Sequence, residues 1–263
     1  GPLAAVATCS GLSVPTPPGQ TAAIPDVDVS LFLVGDAGEP ASGFEPVLAA
    51  LRREVGQDPA RSIIVYLGDN LYPNGFTDST HQRYAEYARR LDEQVAVAKI
   101  TSARAFFVPG NHDWGQWLEG LVRQQQFVEE QGAGTVWFQP RPGCPGPAVR
   151  DLGRTVRLVL LDTQWWFHEE PRPAPPDTSC SGSTIGGVVD SIRTVLQSAG
   201  DRRTVVVAHH PLESGGPHGG HFDWTWHIFP LRAVAPWLWI PLPVIGSVYP
   251  ASRQLGINDQ DLT

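Results

Sequence analysis

Positive charge is scarce in this sequence. Lysine and arginine together number 19 against 27 aspartates and glutamates, which gives a formal net charge of -8, and Lys99 is the single lysine. No part of the chain gathers basic residues into a run. Proteins that bind nucleic acid through its phosphate backbone present a basic surface, so we expect no nucleic-acid partner.

Methionine is absent and cysteine is rare, with three residues in 263. Because the chain opens on Gly1-Pro2 without a methionine, we expect its native start to lie upstream. Cys9 follows an alanine-rich segment and precedes a serine- and proline-rich one, which is typical of a bacterial lipoprotein signal and its tether. We interpret residues 1–26 as a signal-peptide remnant and flexible linker. The protein is then exported, and it is either periplasmic, anchored to the cell surface through Cys9, or secreted.

The other two cysteines, Cys144 and Cys180, lie in loops rich in proline and glycine. Such loops are unlike the apolar segments that bury free thiols in a cytosolic core, and they are typical of disulfides that clamp surface segments. We therefore expect a disulfide between them. Two unrelated free thiols are the alternative.

Long uncharged runs are also few. Residues 233–252 carry no charge and are long enough in principle to cross a bilayer. Their prolines and Gly246 argue against a continuous helix, because each proline removes a helical hydrogen bond. A hydrophobic lid, a dimer surface or an interfacial membrane contact through Trp237 and Trp239 is one interpretation. A plain segment of the core is the other.

From residue 27 onward, continuous apolar runs alternate with segments whose apolar residues recur at helical spacing. Strands are predicted at residues 27–34, 62–67, 104–108, 156–161 and 204–208, and helices at 44–55, 80–99, 188–199 and within the segment that ends at 130. The strand runs are continuously apolar, as expected for strands covered on both faces. The alternation predicts an α/β fold, and the length suits one large domain.

Side chains that can bind metals follow the ends of the predicted strands. They are Asp36, Asp69, Asn111 with His112, and His209. Because ligands bind at the carboxyl ends of strands in open α/β sheets, we expect these side chains to converge. Carboxylates with imidazole suit a pair of metal ions that activates water and neutralises phosphoryl oxygens. Tyr72 adds a phenol, a ligand that favours Fe(III).

Four short motifs resemble those of a known family. They are Gly-Asp-Ala-Gly at 35–38, Gly-Asp-Asn-Leu-Tyr at 68–72, Gly-Asn-His-Asp at 110–113 and Val-Val-Ala-His at 206–209. In order and spacing they resemble four of the five motif blocks of purple acid phosphatases of the tartrate-resistant type, within the calcineurin-like metallophosphoesterase superfamily. The resemblance covers roughly residues 28–215. It implies a layered αββα sandwich for a domain at 27–263, with residues 233–252 as an insertion.

The resemblance also implies an activity, the hydrolysis of phosphate esters and chiefly monoesters, with a metal-bound hydroxide as nucleophile. The implied metal ligands are Asp36 and Tyr72 for the first ion, Asp69 as the bridge, and Asn111 with His209 for the second. The cofactors would be two metal ions, Fe with Zn, Mn or a second Fe. The partner would be a small phosphate ester.

His112 is the implied catalytic residue, which stabilises the transition state or protonates the leaving group. Asp113 either orients His112 or caps the following helix. His210, His218 and His221 are candidate substrate contacts, although a solvated loop explains the last two equally well.

Two further residues near the predicted site carry structural interpretations. Asp162 is interpreted as a structural cap at a strand end. His168 is interpreted as part of an aromatic corner.

The fifth motif of the family, Gly-His-x-His, is missing from this sequence. Gly220-His221-Phe222-Asp223 is a partial match, so ligation by His221 is the second choice. We expect instead that the chain ends before its last two ligands, which truncates the fold at the C-terminus. The alternatives in function are a phosphodiesterase or nucleotide pyrophosphatase, and a non-catalytic surface module with a degenerate metal site.

Overall fold

The protein is described here by a computed structural model that covers residues 27–39, 46–169, 171–175, 180, 182–213, 215 and 221–254. The predicted linker at 1–26 and the candidate substrate contact His218 lie outside these described residues.

The described residues form seven strands and six α-helices. The strands are β1 (Ser30–Val34), β2 (Ser62–Tyr66), β3 (Arg104–Phe107), β4 (Val136–Phe138), β5 (Ala148–Leu152), β6 (Val156–Leu160) and β7 (Arg203–Val207). The helices are α1 (Pro46–Val55), α2 (Tyr84–Thr101), α3 (Trp117–Gly132), α4 (Ile185–Gln197), α5 (Trp224–Ile228) and α6 (Pro243–Gln254). The predicted α/β class is confirmed.

The strands form two sheets. The first has four parallel strands in the order β1-β2-β3-β4. The second has the order β5-β6-β7, in which β5 is antiparallel and β7 parallel to β6. Parallel pairing places the carboxyl ends of β1, β2 and β3 at one edge, where the sequence motifs follow.

Strand β2 is buried along its whole length because it separates two cores. Ile64 and Tyr66 face the helices α1, α2 and α3. Ile63 and Val65 point the other way and pack against the second sheet, beside residues such as Leu158. Side chains alternate across a strand, so a continuous apolar run is required where both faces are covered.

Helix α4 forms the outer layer against the second sheet. Arg157 of β6 donates from Nη1 to the carbonyl of Val195 and to the hydroxyl of Ser198, at 3.2 and 3.1 Å. Val188 of the helix is fully buried. Helices, two sheets and a further helix therefore follow one another, which confirms the layered sandwich that the sequence predicts.

Two strands, β4 and β5, escape prediction from the hydrophobic pattern. Strand β4 has three residues, too few to show a period. Strand β5 reads Ala-Val-Arg-Asp-Leu and lies at the edge of its sheet, where polar side chains reach water. Helix α2 begins at Tyr84 rather than near residue 80, because 78–83 form turns that include the hydrogen bond from Thr80 N to Asp78 Oδ1.

The uncharged stretch at 233–252 is divided, as its prolines predict. A 3-10 helix covers Pro230–Ala233, and α6 covers the second half of the stretch with Pro250 inside it. The pattern does not predict α6 itself. Among the described residues, no helix combines the length and apolar content that crossing a bilayer requires.

A disulfide joins Cys144 to Cys180, so the sequence-based prediction is confirmed. It links two loops that are 36 residues apart in the chain.

Candidate metal centre

Four strands deliver the predicted ligands to one place. Asp36, Asp69 and Asn111 follow β1, β2 and β3, and His209 follows β7 of the second sheet. Ligand atoms of Asp36, Asp69 and His209 all lie within 4.8 Å of one another. The two sheets therefore converge at this edge.

The first donor group consists of Asp36, Asp69 and Tyr72. The Tyr72 hydroxyl donates to Asp36 Oδ1 and to Asp69 Oδ2, both at 2.8 Å. Burial and the two carboxylates raise the pKa of this phenol. Three oxygen ligands thus meet with excess negative charge, and a cation bound among them would reverse the effect of the carboxylates.

The second donor group adds Asn111 and His209 to the other oxygen of Asp69. His209 Nε2 lies 3.0 Å from Asn111 Oδ1 and 3.4 Å from Asp69 Oδ1. His209 Nδ1 faces the carbonyl of Leu67 at 3.0 Å, so Nδ1 carries the proton and Nε2 presents its lone pair.

These spacings fit a pair of cations. Oxygen and nitrogen ligands at roughly 2.1 Å from a six-coordinate ion lie about 3 Å apart, close to the separations observed here. Asp69 Oδ2 faces the first group and Asp69 Oδ1 faces the second, so this carboxylate lies between the two groups and could be shared by two ions.

Backbone strain accompanies this arrangement. Asp36 and Asp69 have φ angles of +56° and +50°, in the left-handed region that residues with a Cβ rarely adopt. Gly110 allows the close approach of the strand ends, because a Cβ there would lie 2.3 Å from Asp69 Oδ1. Strained residues of this kind cluster at functional sites.

His112 stands beside the ligands without joining them. Its Nδ1 lies 2.6 Å from the carbonyl oxygen of Pro73, and its ring packs on Tyr72 at 4.4 Å between centroids. Its Nε2 is 4.0 Å from Asp69 Oδ2. The Pro73 carbonyl, a group without any side-chain signal in the sequence, therefore orients this imidazole.

Asp113 neither orients His112 nor caps a helix, so both sequence interpretations are wrong. It is fully buried, and its Oδ2 accepts from Gly110 N at 2.8 Å and from Asn70 Nδ2 at 3.1 Å. Its Oδ1 accepts from Gln124 of α3 at 2.8 Å. Burial and the nearby charge of Asp69 raise its pKa. Asp113 ties the loop after β3 to the loop after β2.

Helix α2 holds the loops that follow β1 and β2, and the sequence motifs do not predict this support. Arg90 donates from Nη1 to the carbonyls of Gly38 and Tyr72, both at 3.1 Å. Gln94 donates to the carbonyl of Asn70 at 2.8 Å. The sequence does contain a signal for this support, because Arg90 and Gln94 are polar residues at helix positions that face the core. Buried polar groups require partners.

A cavity of about 340 Å³ opens beside the donor groups. Asn111 and His112 line one side of it, and Trp114, Trp117 and His168 line another. The His168 ring lies 4.5 Å from Trp114 and 5.8 Å from Trp117. His168 is part of an aromatic corner, as expected, but its partners come from the loop after β3.

Asp162 is a structural cap, as interpreted from the sequence. It accepts from Trp114 Nε1 at 3.0 Å and from the Trp165 backbone at 3.2 Å. Burial raises its pKa from 3.8 to about 7.

The remaining histidines stand apart from the donor groups. His210 Nδ1 lies 2.8 Å from the Thr163 hydroxyl, with its ring 4.9 Å from that of His209. His221 is exposed, and among the described residues it is not part of the group that could hold a metal. Metal ligation by His221, the second choice, therefore has no support in the geometry. Substrate contact by His210, His218 and His221 stays a prediction.

The sequence is similar to known phosphoesterases. A family profile described as Calcineurin-like phosphoesterase matches residues 29–230. Purple acid phosphatase 3 of Arabidopsis thaliana is 22% identical over 209 residues, which cover 78% of this chain and 54% of the relative. Purple acid phosphatase 17 of the same plant is 22% identical over 215 residues, covering 78% of this chain and 59% of the relative. The chain thus spans less than two thirds of the length of these relatives. With a profile match over most of its length, the chain belongs to the calcineurin-like phosphoesterase family.

Proposed function

We propose that this protein hydrolyses phosphate monoesters at a two-metal centre. The first ion would be held by Asp36, Asp69 and Tyr72, and the second by Asp69, Asn111 and His209. The observation that supports this best is the convergence of two carboxylates and an imidazole, because ligand atoms of Asp36, Asp69 and His209 all lie within 4.8 Å of one another. Two cations at this edge would neutralise the phosphoryl oxygens and supply an activated water.

His112 would act on the leaving group. Its Nδ1 proton is held by the Pro73 carbonyl, so Nε2 is the atom available to a substrate. Because His112 also lines the cavity, an ester whose phosphate lies at the donor groups would place its leaving oxygen near Nε2. Nε2 would then transfer a proton to that oxygen as the ester bond breaks.

The metal identities and the location of the protein are part of the proposal. A phenol ligand at Tyr72 favours Fe(III) in the first position, with Zn, Mn or a second Fe in the other. The Cys144–Cys180 disulfide supports export, because disulfides persist in oxidising compartments.

The test is to load the protein with Fe and Zn or Fe and Mn, measure bound metal by mass spectrometry, and assay p-nitrophenyl phosphate. Asp69→Asn should lose both metal and activity, and His112→Gln should retain metal but lose at least about 100-fold in kcat. Asp92→Asn on the exposed face of α2 is the matched control. Full activity in Asp69→Asn would exclude the proposal.

A non-catalytic metal-binding module is the second candidate. The described residues give the second donor group three protein ligands, Asp69, Asn111 and His209, and such a group can hold an ion without hydrolysing an ester. Two bound ions without turnover of any ester would support this candidate. Faster turnover of bis-p-nitrophenyl phosphate than of the monoester would instead indicate a phosphodiesterase.

A further inference from the structure

The cavity beside His112 has aromatic walls. Among the described residues that line it, none is an aspartate, glutamate, lysine or arginine. Burial and the charge of Arg172 lower the pKa of His168. The cavity is thus suited to an uncharged group with a π face rather than to an ionic one.

Trp117 is held at the mouth of this cavity in an unfavourable backbone conformation. Its φ is +54° and its ψ is -160°, where a bulky side chain is a genuine outlier. The side chain remains 65% exposed, so burial of the ring does not offset this strain. Strain without burial at the edge of a site indicates a functional position.

The inner wall of the cavity is rigid. Trp114 is buried and donates to Asp162 at 3.0 Å, and His168 packs on it at 4.5 Å. Trp117 continues this row of rings at 5.8 Å from His168 and leaves its indole open to solvent. A fixed wall with one open aromatic ring forms a platform on which a planar group can stack.

The position of the cavity assigns this platform to one part of a substrate. Asn111 belongs both to the cavity lining and to the second donor group, and His112 lines the cavity with its Nε2 4.0 Å from Asp69 Oδ2. When the phosphate of an ester lies at the donor groups, the organic part attached to its ester oxygen therefore extends into the cavity. A volume of about 340 Å³ accommodates a ring system of one or two fused rings.

We propose that this cavity is the leaving-group subsite and that it binds a planar aromatic group by stacking on Trp117. The assignment to the leaving group rests on the proposed phosphoesterase function. The affinity for an aromatic ring does not depend on metal or on turnover.

Binding is tested first, with the metal-free protein and 2-naphthol as the probe, by isothermal titration calorimetry. Trp117→Ala should weaken binding at least tenfold, whereas Trp117→Phe should stay within about threefold of the unmodified protein because it retains a ring. Trp237→Ala, a tryptophan outside the cavity and 77% exposed, is the control and should have no effect. Equal affinity of Trp117→Ala and the unmodified protein would overturn the proposal, as would equal binding of the non-planar probe cyclohexanol.

Kinetics with the metal-loaded protein then test the assignment to the leaving group. The ratio of kcat/KM for 1-naphthyl phosphate to that for glycerol phosphate should fall at least tenfold in Trp117→Ala and little in Trp117→Phe. A third substrate, adenosine 5′-monophosphate, distinguishes nucleosides from simple aryl groups as the source of the ring.

The binding and kinetic experiments together distinguish a failure of the aromatic subsite from a failure of the proposed function. Loss of 2-naphthol binding in Trp117→Ala with no turnover of any ester would leave the aromatic site standing and refute the proposed function. Turnover with an unchanged ratio in Trp117→Ala would refute the subsite and leave the function standing.

Discussion

Side chains are held in different ways at the sheet edge that carries the two candidate metal-binding groups and in the segment at 224–254. At the edge, polar groups such as Asn70 and Asp113 are buried and bonded to residues from distant parts of the chain. In the segment, large apolar groups such as Trp237 and Val244 are 77% and 81% exposed. Its contacts are mostly internal, for example Arg232 over the Trp239 ring at 3.8 Å.

This difference shows where the fold is specific. Buried polar groups require partners in fixed positions, so changes at the edge should be costly. Exposed apolar groups contribute little to the stability of an isolated chain, so changes in the segment should be nearly neutral. Four substitutions test the contrast, from the largest expected effect to the smallest.

Gly110→Ala should have the largest effect. The added Cβ would lie 2.3 Å from Asp69 Oδ1 and 2.4 Å from Asp69 N, so the bridging carboxylate must move. We expect a loss of about 4 kcal/mol in the free energy of unfolding and loss of bound metal. Urea denaturation and metal analysis measure both. Gly186→Ala is the control, since a Cβ there meets nothing within 4 Å. Retained metal and stability in Gly110→Ala would contradict the described geometry.

Asp162 should make stability depend on pH. Its pKa is raised from 3.8 to about 7, so the folded state binds the proton more tightly than the unfolded state. The contribution of this group is therefore complete below pH 3.8 and is lost as pH rises through 7. In Asp162→Asn this dependence disappears. The difference in the free energy of unfolding between the unmodified protein and Asp162→Asn should change by about 3 kcal/mol from pH 4 to pH 8. Parallel pH profiles of unfolding would contradict the raised pKa.

Gln124→Ala should remove the partner of Asp113 Oδ1 and leave a buried acceptor unpaired. We expect a loss of about 1 to 2 kcal/mol in the free energy of unfolding. The neighbouring Gln125 donates to Glu129 on the partly buried side of α3, so Gln125→Ala is the matched control and should cost less. If the two substitutions have equal effects, the buried network is not the source of the stability.

Trp237→Ala should have the smallest effect, below about 0.5 kcal/mol, because the side chain is 77% exposed. Thermal unfolding measures it. A large loss would indicate that the segment is covered in solution by a partner, a membrane or a second copy of the chain, and the contrast would then be between two buried regions.

Much of the fold follows from local pattern. Strand β2 is predicted because the residues at 63–67 form a continuous apolar run, and short apolar runs with helical segments between them predict the α/β class. Strands β4 and β5 are too short or too polar for such a pattern, and their place depends on pairing with β3 and β6. Helix α6 contains Pro250, which argues against a helix on local grounds alone.

The sequence by itself determined which candidate side chains follow the strand ends. Asp36, Asp69 and Asn111 each follow a strand of one parallel sheet, so their convergence is predictable. The approach of His209 after β7 depends on how the second sheet packs against the first. Only the tertiary structure decided how they are held. The contacts of the Pro73 carbonyl with His112 and of the Asn70 amide with Asp113 join residues 39 and 43 positions apart in the chain. Local periodicity carries no information on such pairs, because burial and partner geometry arise only when the strands and helices pack together.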